Sequence, residues 1–194
     1  MADSLNSRLN RRILYVGTVV VVALVVVVAL AINRNQSGSG ISLNTPALPA
    51  VSSTLSVGDR LPTTGSLPEL FGTRSASLSS IRGHHAMVIN FFGSYCTACA
   101  QEMDNFATVS NSQHSVIFVG VDADEPSLPN ARSLVTKAKI TYPILVDENG
   151  NVITSPFGVA SLPATFFVST SGKITAEVLG LETVAELRHR IDAL

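Results

Sequence analysis

Two kinds of apolar run divide this chain. Residues 13–32 (ILYVGTVVVVALVVVVALAI) are 20 uninterrupted positions without a charge. At a rise of about 1.5 Å per residue, a helix of that length reaches roughly 30 Å, the thickness of a bilayer's hydrocarbon core. Lipid offers the backbone no partner but itself, which makes even a valine-rich segment helical there. The run predicts a transmembrane helix. Arg8, Arg11 and Arg12 precede it and only Arg34 follows closely, so residues 1–12 are expected in the cytoplasm and the remainder outside. Ala29-Leu30-Ala31 offers a cleavage site for the competing reading, a removed signal peptide. The apolar stretch is longer than the usual core of such a peptide, which favours an uncleaved signal anchor. Both readings export the rest of the chain.

Residues 33–54 change to Ser, Gly, Asn, Thr and Pro, with Ser37-Gly38-Ser39-Gly40 at the centre. This is the composition of a flexible tether, with a mean span on the order of 25 Å. Beyond it, residues 55–194 suit one domain, and their apolar runs are short. Residues 87–92 and 115–122 are continuous enough to be strands buried on both faces, as in a parallel sheet. Helices are expected from the cysteines at 96–99 to about 112, over 128–139, and over 183–194. The last begins with Thr183 and Glu186, a capping box. A strand is expected at 142–147, a brief helical piece at 152–157, and a hairpin from strands 164–168 and 174–179. Parallel β-α-β units followed by an antiparallel pair predict an α/β domain, a mixed sheet flanked by helices.

The formal net charge is −1, which gives no reason to expect nucleic-acid binding. The only two cysteines form Cys96-Thr97-Ala98-Cys99, placed where a strand passes into a helix. Helix N-termini present unpaired N–H groups and a positive dipole end, and both favour thiolate over thiol. The spacing lets the second sulfur reach the first, so the pair is expected to cycle between dithiol and disulfide. A zinc site needs four ligands, and no second cysteine pair exists. A purely structural bridge over so short a loop constrains the unfolded chain little. A CxxC beside a βαβ pattern is the signature of a thioredoxin-like redox motif, working without a cofactor or metal.

From about residue 57 onward the chain resembles the membrane-anchored thioredoxin-like thiol–disulfide oxidoreductases of the bacterial TlpA/ResA type. The resemblance rests on Val57-Gly58-Asp59 with Leu61-Pro62, on residues 88–99, on Gln101-Glu102-Met103 and on Asp147-Glu148-Asn149-Gly150. It continues through Phe157-Gly158-Val159, residues 162–168 and Gly172-Lys173-Ile174. It implies that Cys96 attacks a partner disulfide and Cys99 resolves the product. It also implies that a cis Leu162–Pro163 bond lies beside the disulfide, where the backbone of Leu162 receives an extended substrate segment. Glu102 falls where such relatives carry a functional acid, against the alternative of a solvated acid favouring the helix dipole. Tyr95 is expected to shield the disulfide and contact partners, and Asn90 to be structural. Three departures stand out: Tyr95 replaces the usual Trp, Thr97-Ala98 replaces a proline-containing pair, and Ala164 replaces a Thr.

The implied partners are protein thiols and disulfides, together with a membrane electron donor such as a thiol-reducing transmembrane protein. Cytochrome c maturation is one task the resemblance implies. The alternative function is a copper-binding metallochaperone holding the metal with the same two thiols. A peroxidase needs a Thr three residues before its reactive cysteine, where this chain has Gly93.

Overall fold

The computed structural model describes residues 54–194. The cytoplasmic segment 1–12, the transmembrane helix 13–32 and all but the last residue of the 33–54 tether fall outside the described residues. Among the described residues, no helix is long and apolar enough to cross a membrane.

A short hairpin, β1 (Ser66–Pro68) and β2 (Ser75–Ser77), opens the domain and leads into α1 (Leu78–Arg82). Then come β3 (Ala86–Phe92), α2 (Thr97–Ser110), β4 (Val116–Ala123), α3 (Leu128–Lys137) and β5 (Ile144–Asp147). The chain ends with β6 (Ala164–Val168), β7 (Ile174–Leu179) and α4 (Val184–Ile191). The five main strands lie in the order β5-β4-β3-β6-β7. Strands β3, β4 and β5 run parallel, while β6 is antiparallel to both β3 and β7.

Why β3 sits at the centre is plain from its composition: all seven of its residues are buried. Alternation sends Met87, Ile89 and Phe91 to one face, where they meet Phe157, Phe166 and Leu78. Val88 and Phe92 point the other way, toward Phe106, Met103 and Cys99 of α2. Helices α2, α3 and α4 all contribute buried residues to that second face. Right-handed crossovers that advance in one direction across a sheet must place their helices on one side. Asn90 shares the parity of Val88 and Phe92, so its polar side chain faces α2 from within an apolar strand.

Three departures from the sequence reading have physical causes. The β1–β2 hairpin was not expected, since three-residue strands of Ser, Leu, Pro and Ala carry no alternating pattern. The helices at 96–112 and 128–139 end earlier, at Ser110 and Lys137. The piece expected to be helical at 152–157 is a series of turns instead. Its N–H groups reach back by varying distances: Ser155 to Gly150, Phe157 to Ile153, Gly158 to Ser155. Pro156 supplies no N–H at all.

What holds these turns is Asp147 at the end of β5. Its carboxylate accepts from the N–H groups of Val152, Ile153 and Thr154 at 3.1, 2.8 and 2.7 Å. Burial raises its pKa, but these donors outweigh burial and leave it below the ordinary aspartate value. Asp147→Ala is expected to cost about 3 kcal/mol in urea unfolding, the scale for several bonds to a buried charge. Because the folded-state pKa is depressed, this contribution is present above the unfolded aspartate pKa. It is lost as pH falls through the folded one. The variant's deficit should therefore shrink in acid.

Candidate active site

Cys96 is the N-cap residue of α2, with an extended backbone (φ −92°, ψ 108°). It is half-buried, whereas Cys99 is fully buried. The two are joined as a disulfide, with Cα atoms 5.2 Å apart. The Cys99 N–H donates to Sγ of Cys96 at 3.0 Å. One of the orphan N–H groups of the first helical turn is thus aimed at the outer sulfur, where it favours the thiolate after reduction.

The Leu162–Pro163 bond is cis. Pro163 is buried at the start of β6, and its carbonyl accepts from the Gly180 N–H at 2.8 Å. Leu162 and Cys96 pack against the same buried cluster of Phe92, Cys99 and Met103. Both also line one open cavity of about 750 Å³, walled further by Tyr95, Asp124, Asn149 and Gly158. The structure therefore brings Cys96, Tyr95 and Leu162 to one cleft. Pro163 follows Leu162 in the chain but does not itself line the cleft.

Tyr95 is 55% exposed, and its hydroxyl donates to the Ala123 carbonyl at 3.1 Å. The ring lies across Gly93, where a Cβ atom would come within 2.5 Å of Cε1 and 2.9 Å of Cζ. A side chain at this position would displace the ring.

Glu102 is not a solvated first-turn acid. It is fully buried on α2, one turn beyond Cys99 and on the same face. Its Oε1 accepts from Asn90 Nδ2 at 2.7 Å and its Oε2 from the Glu182 N–H at 3.2 Å. Burial pushes its pKa up to about 7, against the lowering effect of these two donors. Asn90 is thus the partner of the buried acid, and the amide keeps its Oδ1 unpaired.

Two acids at the end of β4 escaped the sequence reading. Asp122 is fully buried, and Glu125 is 4% exposed. Glu125 lines a second cleft that also borders Tyr95, with Asp124 and Glu148. The signal was available: carboxylates at the end of a continuous apolar run, VIFVGVDADE, are out of place unless something holds them. Among the described residues, no group of three or more His, Cys, Asp or Glu is placed to hold a metal ion.

The model of the AhpC/TSA family matches residues 57–177, well over half of the chain. This chain belongs to the AhpC/TSA family. Within the family it is similar to the thiol–disulfide oxidoreductase ResA of Geobacillus thermodenitrificans. The two are 27% identical over 123 residues, covering 62% of this chain and 69% of the relative. ResA of Bacillus thuringiensis subsp. konkukian is 29% identical over 103 residues, covering 52% and 58%. The chain therefore spans little more than half the length of that second relative. Among solved structures, MTB dsbF in its mixed oxidized and reduced forms superposes with a TM-score of 0.60. It is 29% identical, over 66% of this chain and 92% of the other. The ResA-like character, the thioredoxin-like fold and the thiol–disulfide oxidoreductase class expected from the sequence all agree with these likenesses.

Proposed function

We propose that this AhpC/TSA-family chain is an extracytoplasmic thiol–disulfide oxidoreductase, anchored by residues 13–32, that exchanges disulfides with exported proteins through Cys96 and Cys99. The observation that carries the reading is the asymmetry of the pair. One sulfur faces a cleft at a helix mouth and its partner is sealed beneath it.

Starting from the dithiol, the Cys96 thiolate attacks a client disulfide, forming a mixed disulfide and releasing one client thiolate. Cys99 loses its proton and attacks Sγ of Cys96, which expels the second client thiolate and leaves the client reduced by two electrons. Run backwards, the same steps oxidise a client dithiol. Glu102, one turn along the helix from Cys99, is the group suited to take and return the Cys99 proton. The cleft edge at Leu162 receives the client backbone, and Tyr95 covers the disulfide from the other side.

The apolar segment and its arginine-rich leading flank support an outward-facing domain. Electrons then arrive from a thiol-reducing protein in the same membrane. Cytochrome c maturation is the task that the ResA-like character favours.

The test is insulin reduction by the chain in the presence of dithiothreitol, alongside titration with Cu(I). Catalytic precipitation of insulin is expected. Tight stoichiometric copper binding without turnover would overturn the proposal in favour of a metal carrier. For topology, a periplasmic-type reporter fused after residue 54 is expected to be active, and the same reporter fused before residue 13 inactive.

A further inference from the structure

The loop that carries Cys96 is held from outside its own helix. Ser94, two residues before the cysteine, donates both its N–H and its hydroxyl to the Glu125 carboxylate, each at 2.7 Å. Oε1 of Glu125 also accepts from the Ser127 N–H at 2.8 Å. Tyr95, the next residue, ties to the Ala123 carbonyl in the same segment. The Cys96 N–H in turn bonds to the Gly93 carbonyl at 3.1 Å, closing the turn on which the sulfur rides. The end of β4 and the segment after it therefore grip the active-site loop at two successive residues.

Behind Glu125 lies Asp122, flanked in the sheet by Phe92 and Val146. It is fully buried, and neither of its oxygens meets a donor. A carboxylate in that setting is costly, whereas a carboxylic acid is not. Burial first, and then Glu125, raise the Asp122 pKa to about 8. As a neutral acid, Asp122 has one proton to donate, and Glu125 is the acceptor beside it. Burial tends to raise the Glu125 pKa, but the Ser94 and Ser127 donors and Asp122 outweigh it, so Glu125 stays charged. An ionised carboxylate offers about four lone-pair directions. Ser94 and Ser127 fill three, which leaves one direction open to the Asp122 proton. Asp124 between them takes φ +51°, a left-handed conformation uncommon for a side-chain-bearing residue. That bend turns the chain back so that Glu125 reaches the loop.

We propose that Glu125, backed by Asp122, is a positioning residue for disulfide exchange: it fixes the Gly93–Tyr95 turn so that the Cys96 sulfur sits on the N–H groups of α2. The inference rests on the proposed thiol–disulfide activity and adds to it the residue that sets the geometry of the attacking sulfur. Displacing a reacting atom by about 1 Å can cost on the order of 100-fold in rate.

Glu125→Gln separates this role from simple packing. The amide keeps the shape but faces the Ser94 and Ser127 donors with an NH2 group, so one of them loses its acceptor. Asp122→Asn still donates to Glu125, whereas Asp122→Ala leaves it short of a donor. The experiment measures insulin reduction together with the pH dependence of Cys96 alkylation in the reduced chain, well below each variant's melting temperature. Glu125→Gln and Asp122→Ala are expected to lose about ten-fold or more in exchange. Their Cys96 alkylation midpoints should move up toward the free-cysteine value of about 8.5. Asp122→Asn is expected to restore both to near wild-type. If Glu125→Gln does not fold, Ser94→Ala is used instead, and a smaller shift in the same direction is expected. Wild-type midpoints and exchange rates in folded Glu125→Gln or Ser94→Ala overturn the proposal. An inactive wild-type chain would overturn the thiol–disulfide reading itself, so the two failures are distinguishable.

Discussion

Cys96→Ser is expected to abolish disulfide exchange, with a loss on the order of 10³-fold or more in insulin reduction. Cys99→Ser is expected to stop the cycle half-way. The two variants differ because the two sulfurs differ: Cys96 is half-buried at the cleft and Cys99 is fully buried. Only the first can meet a client, and a serine hydroxyl has no thiolate-like nucleophile at neutral pH. With Cys99 absent, nothing resolves the mixed disulfide. The chain should then run on a non-reducing gel as a covalent adduct with an oxidised client, released by dithiothreitol. Adduct formation by Cys96→Ser and not by Cys99→Ser would reverse the assignment of attacker and resolver.

Glu102→Gln carries the second large effect. At a pKa of about 7, Glu102 is divided between acid and carboxylate near neutrality. The carboxylate accepts the Cys99 proton, so its contribution to the reducing direction rises as pH passes upward through about 7. The glutamine variant should lose this limb and fall behind by about 100-fold at pH 8, the low end of general-base effects. Its hydrogen bonds survive, because rotating the Asn90 amide turns the unpaired Oδ1 toward the new NH2 while the Gln carbonyl accepts from Glu182. Stability moves the other way. The folded-state pKa is raised, so stability is fully present below the unfolded glutamate value and is lost as pH rises through about 7. The wild type should lose on the order of 3 kcal/mol across that window. Urea titrations at pH 5 and pH 8 should show a loss larger by that amount in the wild type than in the variant, because Asp122, whose pKa is also raised, titrates in both.

Much of the scaffold was legible because burial leaves a clear mark on composition. The strand β3 reads as continuous apolar sequence since both of its faces are covered. The Thr183–Glu186 box announces α4, and both reciprocal bonds form. The CxxC needs no tertiary information, as the junction of strand and helix is local. What stayed hidden depends on neighbours distant in sequence. Glu102 could be read as solvated or as functional, and its burial is decided by Asn90 on β3 and the backbone of Glu182, 80 residues further on. The Glu125 clamp on Ser94 spans 31 residues. The turns at 152–157 lack a helix because Asp147 caps them from outside and Pro156 interrupts them, and neither contact follows a helical period. Asn90, a lone amide in an apolar strand, and the carboxylates that end the apolar run of β4 were the local hints that buried polar partners had to exist.

The most direct measurement is the rate of iodoacetamide alkylation of the fully reduced chain against pH, with the modified cysteine mapped by mass spectrometry. A sulfur resting on the N–H groups of α2 should react at Cys96 alone, with a midpoint clearly below the free-cysteine value of about 8.5. A Cys96 that stays protonated up to that value and forms no covalent adduct with any disulfide client would contradict the account.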